Sequence, residues 1–232
     1  MNFTRTKVKK VHQSTMKRWI DICGALFGLL LLSPILLVIV VLVRLHMGSP
    51  VLFKQQRPGL HGKPFFILKF RTMANTKDIN GNLLPDEKRL TKLGRFLRKT
   101  SLDEFPELIN VLKGEMSLVG PRPLLMKYLP YYTEEEMKRH DVRPGITGLA
   151  QVSGRNLLPW DERLKIDVDY VNRQSLLLDA FIILRTIVEV FAVKNIVLNH
   201  WLDLDDERIL RKPAADGKNN EETTIRSEDG LQ

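Results

Sequence analysis

The chain has 232 residues, 44% hydrophobic and 27% charged, which suits one domain with an appendage, or two small ones, and buries a core without staples. A single cysteine, Cys23, excludes an internal disulfide, and no Cys/His cluster has zinc-ligand spacing; a magnesium ion held by carboxylates leaves no such signature and stays open. The net charge of +9 points to nucleic acid, anionic lipid or phosphorylated ligands.

Charge placement sorts these partners. Residues 1–19 hold Arg5, Lys7, Lys9, Lys10, Lys17 and Arg18 with no acidic residue before Asp21. Residues 44–71 hold Arg44, Lys54, Arg57, Lys63, Lys69 and Arg71, again with no acidic residue. Between these blocks, residues 22–43 carry no charge and are about long enough to span a bilayer core. The run is too long for a signal peptide, and no small-residue cleavage site follows it before Arg44. A single-pass anchor with Pro34 as a tolerated kink is the plain reading. Two features favour another. Basic residues flank both ends, so a spanning helix has to export one basic block. Ser33-Pro34 also stands mid-run, where proline lacks an amide donor and kinks a helix. Residues 22–33 cover roughly 18 Å as a helix, about half the hydrocarbon thickness. The expected geometry is a re-entrant hairpin: helix in, bend at Ser33-Pro34, helix out on the same face. The Ser33 hydroxyl then satisfies a carbonyl freed by the bend.

Residues 51–55 and 64–71 read as two strands of a β-hairpin joined by a Pro58-Gly59 to Lys63 turn. Residues 75–86 are polar and contain Asn80-Gly81, the composition of a surface loop. Residues 88–113 have a broken helical pattern, with Leu90, Leu93, Phe96 and Leu97 on one face. Ser101 is the expected N-cap of a second helix that carries Asp103 and Glu104 in its first turn and stops at Gly114. Gly120-Pro121-Arg122-Pro123 is a rigid turn and a candidate for a cis bond. Residues 131–140 read as a charged helix, 143–156 as loop and short strand, and 159–178 as an amphipathic helix. Residues 179–193 are nearly all apolar, so they belong either to the core or to the membrane interface. After Asp203 the composition is that of a disordered tail. The fold class expected is α+β: a mostly helical monotopic membrane protein with an N-terminal re-entrant helix, a small β-hairpin and interfacial amphipathic helices. Its parts are a basic cytoplasmic N-terminus (1–19), the re-entrant helix (20–44), the main domain at the membrane interface (45–202) and the tail (203–232).

The chemistry centres on Asp103-Glu104. Adjacent carboxylates at a helix start alone do no more than complement the helix dipole. Here Arg95, Arg98 and Lys99 precede them, Lys69 and Arg71 close the second strand, and Arg122 sits in the rigid turn. Carboxylates ringed by phosphate-binding cations suit phosphoryl transfer, with magnesium on the acids or one acid as nucleophile. The plain alternative is a basic face attracted to anionic lipid. No P-loop or dinucleotide glycine pattern is present.

The blocks Lys17-Arg18-Trp19-Ile20-Asp21, Ser33-Pro34, Gly48-Ser49-Pro50-Val51, Gln56-Arg57-Pro58-Gly59 and Lys69-Phe70-Arg71-Thr72-Met73 occur in order. They are followed by Leu93-Gly94, Leu97-Arg98, Thr100-Ser101-Leu102-Asp103-Glu104, Leu118-Val119-Gly120-Pro121-Arg122-Pro123, Arg143-Pro144-Gly145-Ile146-Thr147-Gly148, Gln151-Val152 and Gly154-Arg155-Asn156. In these the chain resembles the monotopic phosphoglycosyl transferases, or bacterial sugar transferases, in their small catalytic-domain form. The resemblance implies a UDP-sugar:polyprenyl-phosphate sugar-phosphotransferase with residues 45–202 as its catalytic domain. Asp103 would attack the β-phosphate of a UDP-sugar, release UMP and pass the phospho-sugar to polyprenyl (undecaprenyl) phosphate. This would be the first membrane step of a capsule, exopolysaccharide, O-antigen or glycoprotein glycan. It also implies Mg²⁺ on Glu104 with Asp103, Arg98 in the catalytic cluster, and Lys69, Arg71, Arg122, Arg143 and Gln151 around the substrate. The expected location is the cytoplasmic face of a bacterial inner membrane, with membrane lipid as partner and a homodimer as one candidate assembly.

Two rival readings make separate predictions. A membrane-anchored scaffold or regulator tolerates Asp103→Asn and ignores magnesium. A phosphohydrolase that uses Asp103 releases sugar phosphate without lipid. Nucleic acid is set aside as a partner, because few aromatics interleave with the basic residues.

Overall fold

The computed structural model describes residues 3–154, 158–191 and 203–211. Helix α1 (Phe3–Met47) is continuous and crosses both boundaries that charge placement drew, at residues 19/20 and 44/45. Pro34 lies inside it. An amide at position 34 would donate to Leu30, four residues back. In its absence Ser33 Oγ donates to the Leu30 carbonyl at 2.8 Å, so the acceptor that proline orphans is satisfied. Phe27, Leu30, Leu31, Leu37 and Val38 are exposed, while Ala25, Ile39 and Val43 are buried.

Strands β1 (Leu52–Pro58) and β2 (Pro64–Phe70) form the expected antiparallel hairpin, in a register that pairs Phe53 with Lys69. The turn between them is a 3-10 turn, Leu60–Gly62, with His61 at φ 55. Short helices α2 (Asp86–Arg89) and α3 (Lys92–Lys99) follow, then α4 (Glu107–Lys113). A second, two-stranded sheet is parallel, β3 (Ser117–Val119) against β4 (Gly145–Thr147), with Ser117 opposite Gly145. Between these strands runs the capped helix α5 (Glu134–Met137), and after them come α6 (Leu149–Ser153), α7 (Trp160–Arg173) and α8 (Leu176–Phe191).

Among the described residues, three apolar clusters tie the elements together. Ala25 of α1 packs with Phe65, Ile67, Leu108, Val111 and Met116. Ile39 and Val43, beyond Pro34, pack with Phe70 and Leu97. Val119, Val152, Tyr170 and Ile182 join the parallel sheet to α6, α7 and α8. Helix α8 is two-faced: Ile182 is fully buried, whereas Leu177, Phe181, Leu184 and Val188 are exposed.

Several expectations are corrected. Asp103 and Glu104 do not open an α-helix. They lie in a 3-10 turn, Leu102–Glu104, and Ser101 caps nothing, sitting instead in the left-handed region at φ 56. Pro106 is the reason: it has no N–H for Leu102, so Phe105 N takes that carbonyl in the tighter i→i+3 pattern. Among the described residues the cis peptide is Ser49-Pro50, not one in the Gly120 to Pro123 turn. Residues 149–153, read as loop, form α6. The amphipathic helix breaks at Gln174, which leaves the helical region, so α7 and α8 are separate. The charged helix at 131–140 is reduced to α5 between two 3-10 turns.

A separate unit begins at His200. Its described part is helix α9 (Leu204–Arg211), where composition had pointed to a disordered tail. Asp205, Asp206 and Glu207 in the first turn favour the helix start through the dipole. The Gly217 to Asn220 stretch lies outside the described residues.

Candidate active site

A cleft of about 1300 Å³ opens between the hairpin, the Leu102–Glu104 turn, the Arg122 loop and α6 to α8. Lys69, Arg71, Arg98, Asp103, Glu104, Arg122 and Gln151 all line it. Arg143 is not among its lining residues; its Nε donates to the Gly114 carbonyl at 2.8 Å, a contact that joins the segment before β4 to the end of α4.

The two central carboxylates are treated differently. Glu104 Oε1 receives Lys69 Nζ at 2.6 Å and Arg122 Nη2 at 2.6 Å, while Arg122 Nη1 reaches Oε2 at 3.4 Å. Burial works against the Glu104 charge, but the Arg122 and Lys69 charges and hydrogen bonds outweigh it and hold the carboxyl at about 2. Asp103 is buried to 8% exposure and, among the described residues, no cation pairs with it. Burial and then the neighbouring Glu104 charge raise its pKa, against Lys69 and Arg98. One carboxylate is clamped and acidic; its neighbour is open and more basic.

The local fold sets this up. Lys69 projects from β2 beside the turn, and its Nζ also lies 3.2 Å from Glu107 Oε1 without hydrogen-bond geometry. Helix α3 packs against the residues after β2 so closely that a Cβ at Gly94 would fall 1.8 Å from the Thr72 carbonyl oxygen. One turn later Arg98 Nε donates to Thr72 Oγ1 at 3.1 Å. Arg122 is held from behind, where Arg139 donates to its carbonyl at 2.7 Å and pairs with Asp167, also at 2.7 Å. Both members of that pair are buried.

Other residues named from the sequence make backbone contacts. The Arg71 guanidinium is spent on backbone carbonyls, on Met73 at 2.9 Å and Ser49 at 3.1 Å, so it braces the cleft wall. Gln151 Nε2 donates to Ile146 O at 3.1 Å and its Oε1 is buried without a donor. Arg18, read as part of a basic flank, donates to the carbonyls of Val111 and Leu112 at 2.6 and 3.0 Å, capping the end of α4.

Glu107 escaped the sequence reading. It is 1% exposed, and burial followed by the Glu104 charge pushes its pKa up to about 7. The spacing from Glu104 to Glu107 was the available signal, since residues three apart share a helical face. Arg57 and the Arg139–Asp167 pair were also missed as site residues. The pair is far apart in sequence, so only the fold joins it.

A clamped acid beside an unpaired one, in a cleft lined by cations, is an arrangement suited to phosphorylated ligands. The chain belongs to the bacterial sugar transferase family, whose model matches residues 12–193. It is 55% identical over 181 residues to the uncharacterized sugar transferase EpsL of Bacillus subtilis, covering 78% of this chain and 90% of that one. It is 40% identical to the UDP-glucose:undecaprenyl-phosphate glucose-1-phosphate transferase of Caulobacter vibrioides, over 80% of this chain and 73% of the relative. It is 41% identical to the Escherichia coli transferase of the same description, covering 77% of this chain and 41% of the relative.

Proposed function

We propose that the protein moves a sugar 1-phosphate from a UDP-sugar to polyprenyl (undecaprenyl) phosphate, through a phospho-sugar carried on Asp103. The observation that carries this reading is the asymmetry of the two acids. Glu104 is paired with Lys69 and Arg122, whereas among the described residues no cation forms an ion pair with Asp103, whose pKa is raised by burial and the Glu104 charge. A buried, unpaired and more basic carboxylate is the better nucleophile. An Asp103 oxygen attacks the β-phosphorus, the bond from that phosphorus to the bridging oxygen breaks, and UMP leaves with the electron pair. A polyprenyl phosphate oxygen then attacks the same phosphorus and the Asp103–phosphorus bond breaks. Lys69 and Arg98 flank Asp103 and stabilise the charge on the transferring group. The names of the Caulobacter and E. coli relatives support this donor and acceptor.

The donor set suits Mg²⁺. Glu104 is held ionised, among the described residues its Oε2 takes the longer Arg122 contact alone, and Asp103 adjoins it. Glu104 with Asp103 would hold the ion, which takes one or two carboxylates plus substrate phosphates and neutralises their charge.

The membrane reading is a re-entrant α1 on the cytoplasmic face of the bacterial inner membrane. Its support is that both halves of α1 dock on one polar body. Before Pro34, Arg18 caps α4 and Asp21 accepts from Ser117 Oγ and Leu118 N, each at 3.0 Å. After it, Ile39 and Val43 pack on Phe70 and Leu97. A straight span would carry one of these ends to the far side of a bilayer. The exposed apolar face of α8 suits the interface.

The test is UMP release by the purified chain with Mg²⁺, a panel of UDP-sugars and undecaprenyl phosphate. UMP formation that needs a particular donor, and is lost in Asp103→Asn, is expected. A mutant as active as the parent overturns the assignment.

A further inference from the structure

Most cations of the cleft are committed to partners within the protein. Lys69 and Arg122 hold Glu104, Arg139 holds Asp167, and Arg71 is bound to carbonyls. Arg57, on β1, is different. Its Nη2 donates to the neutral Gln55 Oε1 at 2.6 Å, and its Nε is buried without an acceptor. No carboxylate pairs with it among the described residues, yet it lines the cleft. Burial and then the Arg122 charge both act against its positive charge. A cation so placed gains from an anionic ligand.

Its position along β1 separates it from Lys69, the cation beside the reacting acid: Lys69 lies opposite Phe53, and Arg57 stands four residues further along the strand, about 13 Å. The charges that act on Asp103 are Glu104, Lys69 and Arg98. Those that act on Arg57 are Arg122 and Glu107, beside the Tyr128 and Tyr132 rings. A diphosphate in the cleft therefore meets Lys69 and Arg98 at Asp103, Arg122 on the adjoining Glu104, and Arg57 further along β1. We infer that Arg57 binds the phosphate that is not transferred, the one that departs as a nucleoside monophosphate. This rests on the transferase reading above. Gln55 then acts as a positioning residue that aims the guanidinium.

The experiment is calorimetric titration of the full chain in lipid nanodiscs with UMP and, separately, with uridine. Parent, Arg57→Gln, Arg57→Lys and Gln55→Leu are compared. Loss of a charge-assisted hydrogen bond predicts UMP binding weaker by about tenfold or more in Arg57→Gln, with uridine binding unchanged. Arg57→Lys keeps the charge but loses the planar fork, so it falls between. Gln55→Leu keeps the arginine and weakens UMP a few-fold, roughly. Unchanged UMP affinity in Arg57→Gln, or equal losses for UMP and uridine, overturns the inference while leaving the transferase reading intact. A parent that binds neither UMP nor any UDP-sugar overturns both. Should Arg57→Gln fail to fold, Gln55→Leu decides: unchanged UMP affinity there overturns the inference.

Discussion

Ser33 donates to the carbonyl of Leu30 at 2.8 Å, the acceptor that Pro34 leaves without an amide. The pair lets α1 carry a proline in an apolar setting without an unmet carbonyl. Replacing both by alanine restores an ordinary ladder and favours a straight helix by about 3 kcal/mol at the proline position. With Cys23 changed to Ser, single cysteines placed near residues 5 and 45 are expected to label from the same membrane face in the parent. Labelling from opposite faces is expected in Ser33→Ala/Pro34→Ala. Opposite-face labelling in the parent overturns the hairpin.

Gly94 sets how near α3 approaches Thr72. A methyl group there meets backbone at 1.8 Å, which nothing but a shift of the helix relieves. Gly94→Ala is expected to destabilise the fold by about 1–3 kcal/mol, the usual range for overpacking. It also carries Arg98 away from Thr72. Thermal melting gives the first effect and the loss of turnover the second; a variant with parental stability and activity contradicts both.

The Arg139–Asp167 pair is buried and supports the Arg122 carbonyl. Asp167→Ala leaves an uncompensated buried guanidinium and is expected to cost about 3–5 kcal/mol. Denaturant unfolding measures it. A cost below 1 kcal/mol would mean that solvent reaches Arg139.

Glu107 and Glu104 give opposite pH dependences. Glu107 holds its proton up to about 7 when folded, against 4.5 ordinarily. Between those values the folded protein binds more protons than the unfolded chain, so this group lowers stability as pH rises through 4.5 to 7. Glu104 is held at about 2. Its contribution is present above pH 4.5 and is lost as pH falls towards 2. Glu107→Gln is therefore expected to flatten the melting temperature between pH 5 and 7 and to leave the acid limb. A parental slope in the variant would assign the titration elsewhere.

Much of the site was legible because motif residues carry their chemistry in their type. Asp103, Glu104, Lys69, Arg98 and Arg122 were all named, and the fold gathers them in one cleft. Arg71 was read by the same rule; it lines the cleft and donates to backbone carbonyls, which a guanidinium satisfies as readily as phosphates. The 3-10 turn at Asp103 was hidden, although Pro106 foreshadowed it. Propensity patterns cannot weigh one missing amide against a neighbouring carbonyl.

The amino-acid sequence by itself determined the apolar helix with its proline, the β-hairpin and the residue types of the site. These follow from local rules: hydrophobic runs, turn residues, and the absence of an amide on proline. Tertiary structure alone decided that Glu104 is clamped while Asp103 stays open, that Arg18 caps α4, and that Arg139 meets Asp167. Each of these depends on residues distant in the chain arriving within hydrogen-bond range. Charge strength in a buried cleft is set by those distances and by the loss of water, neither of which a linear order of residues contains.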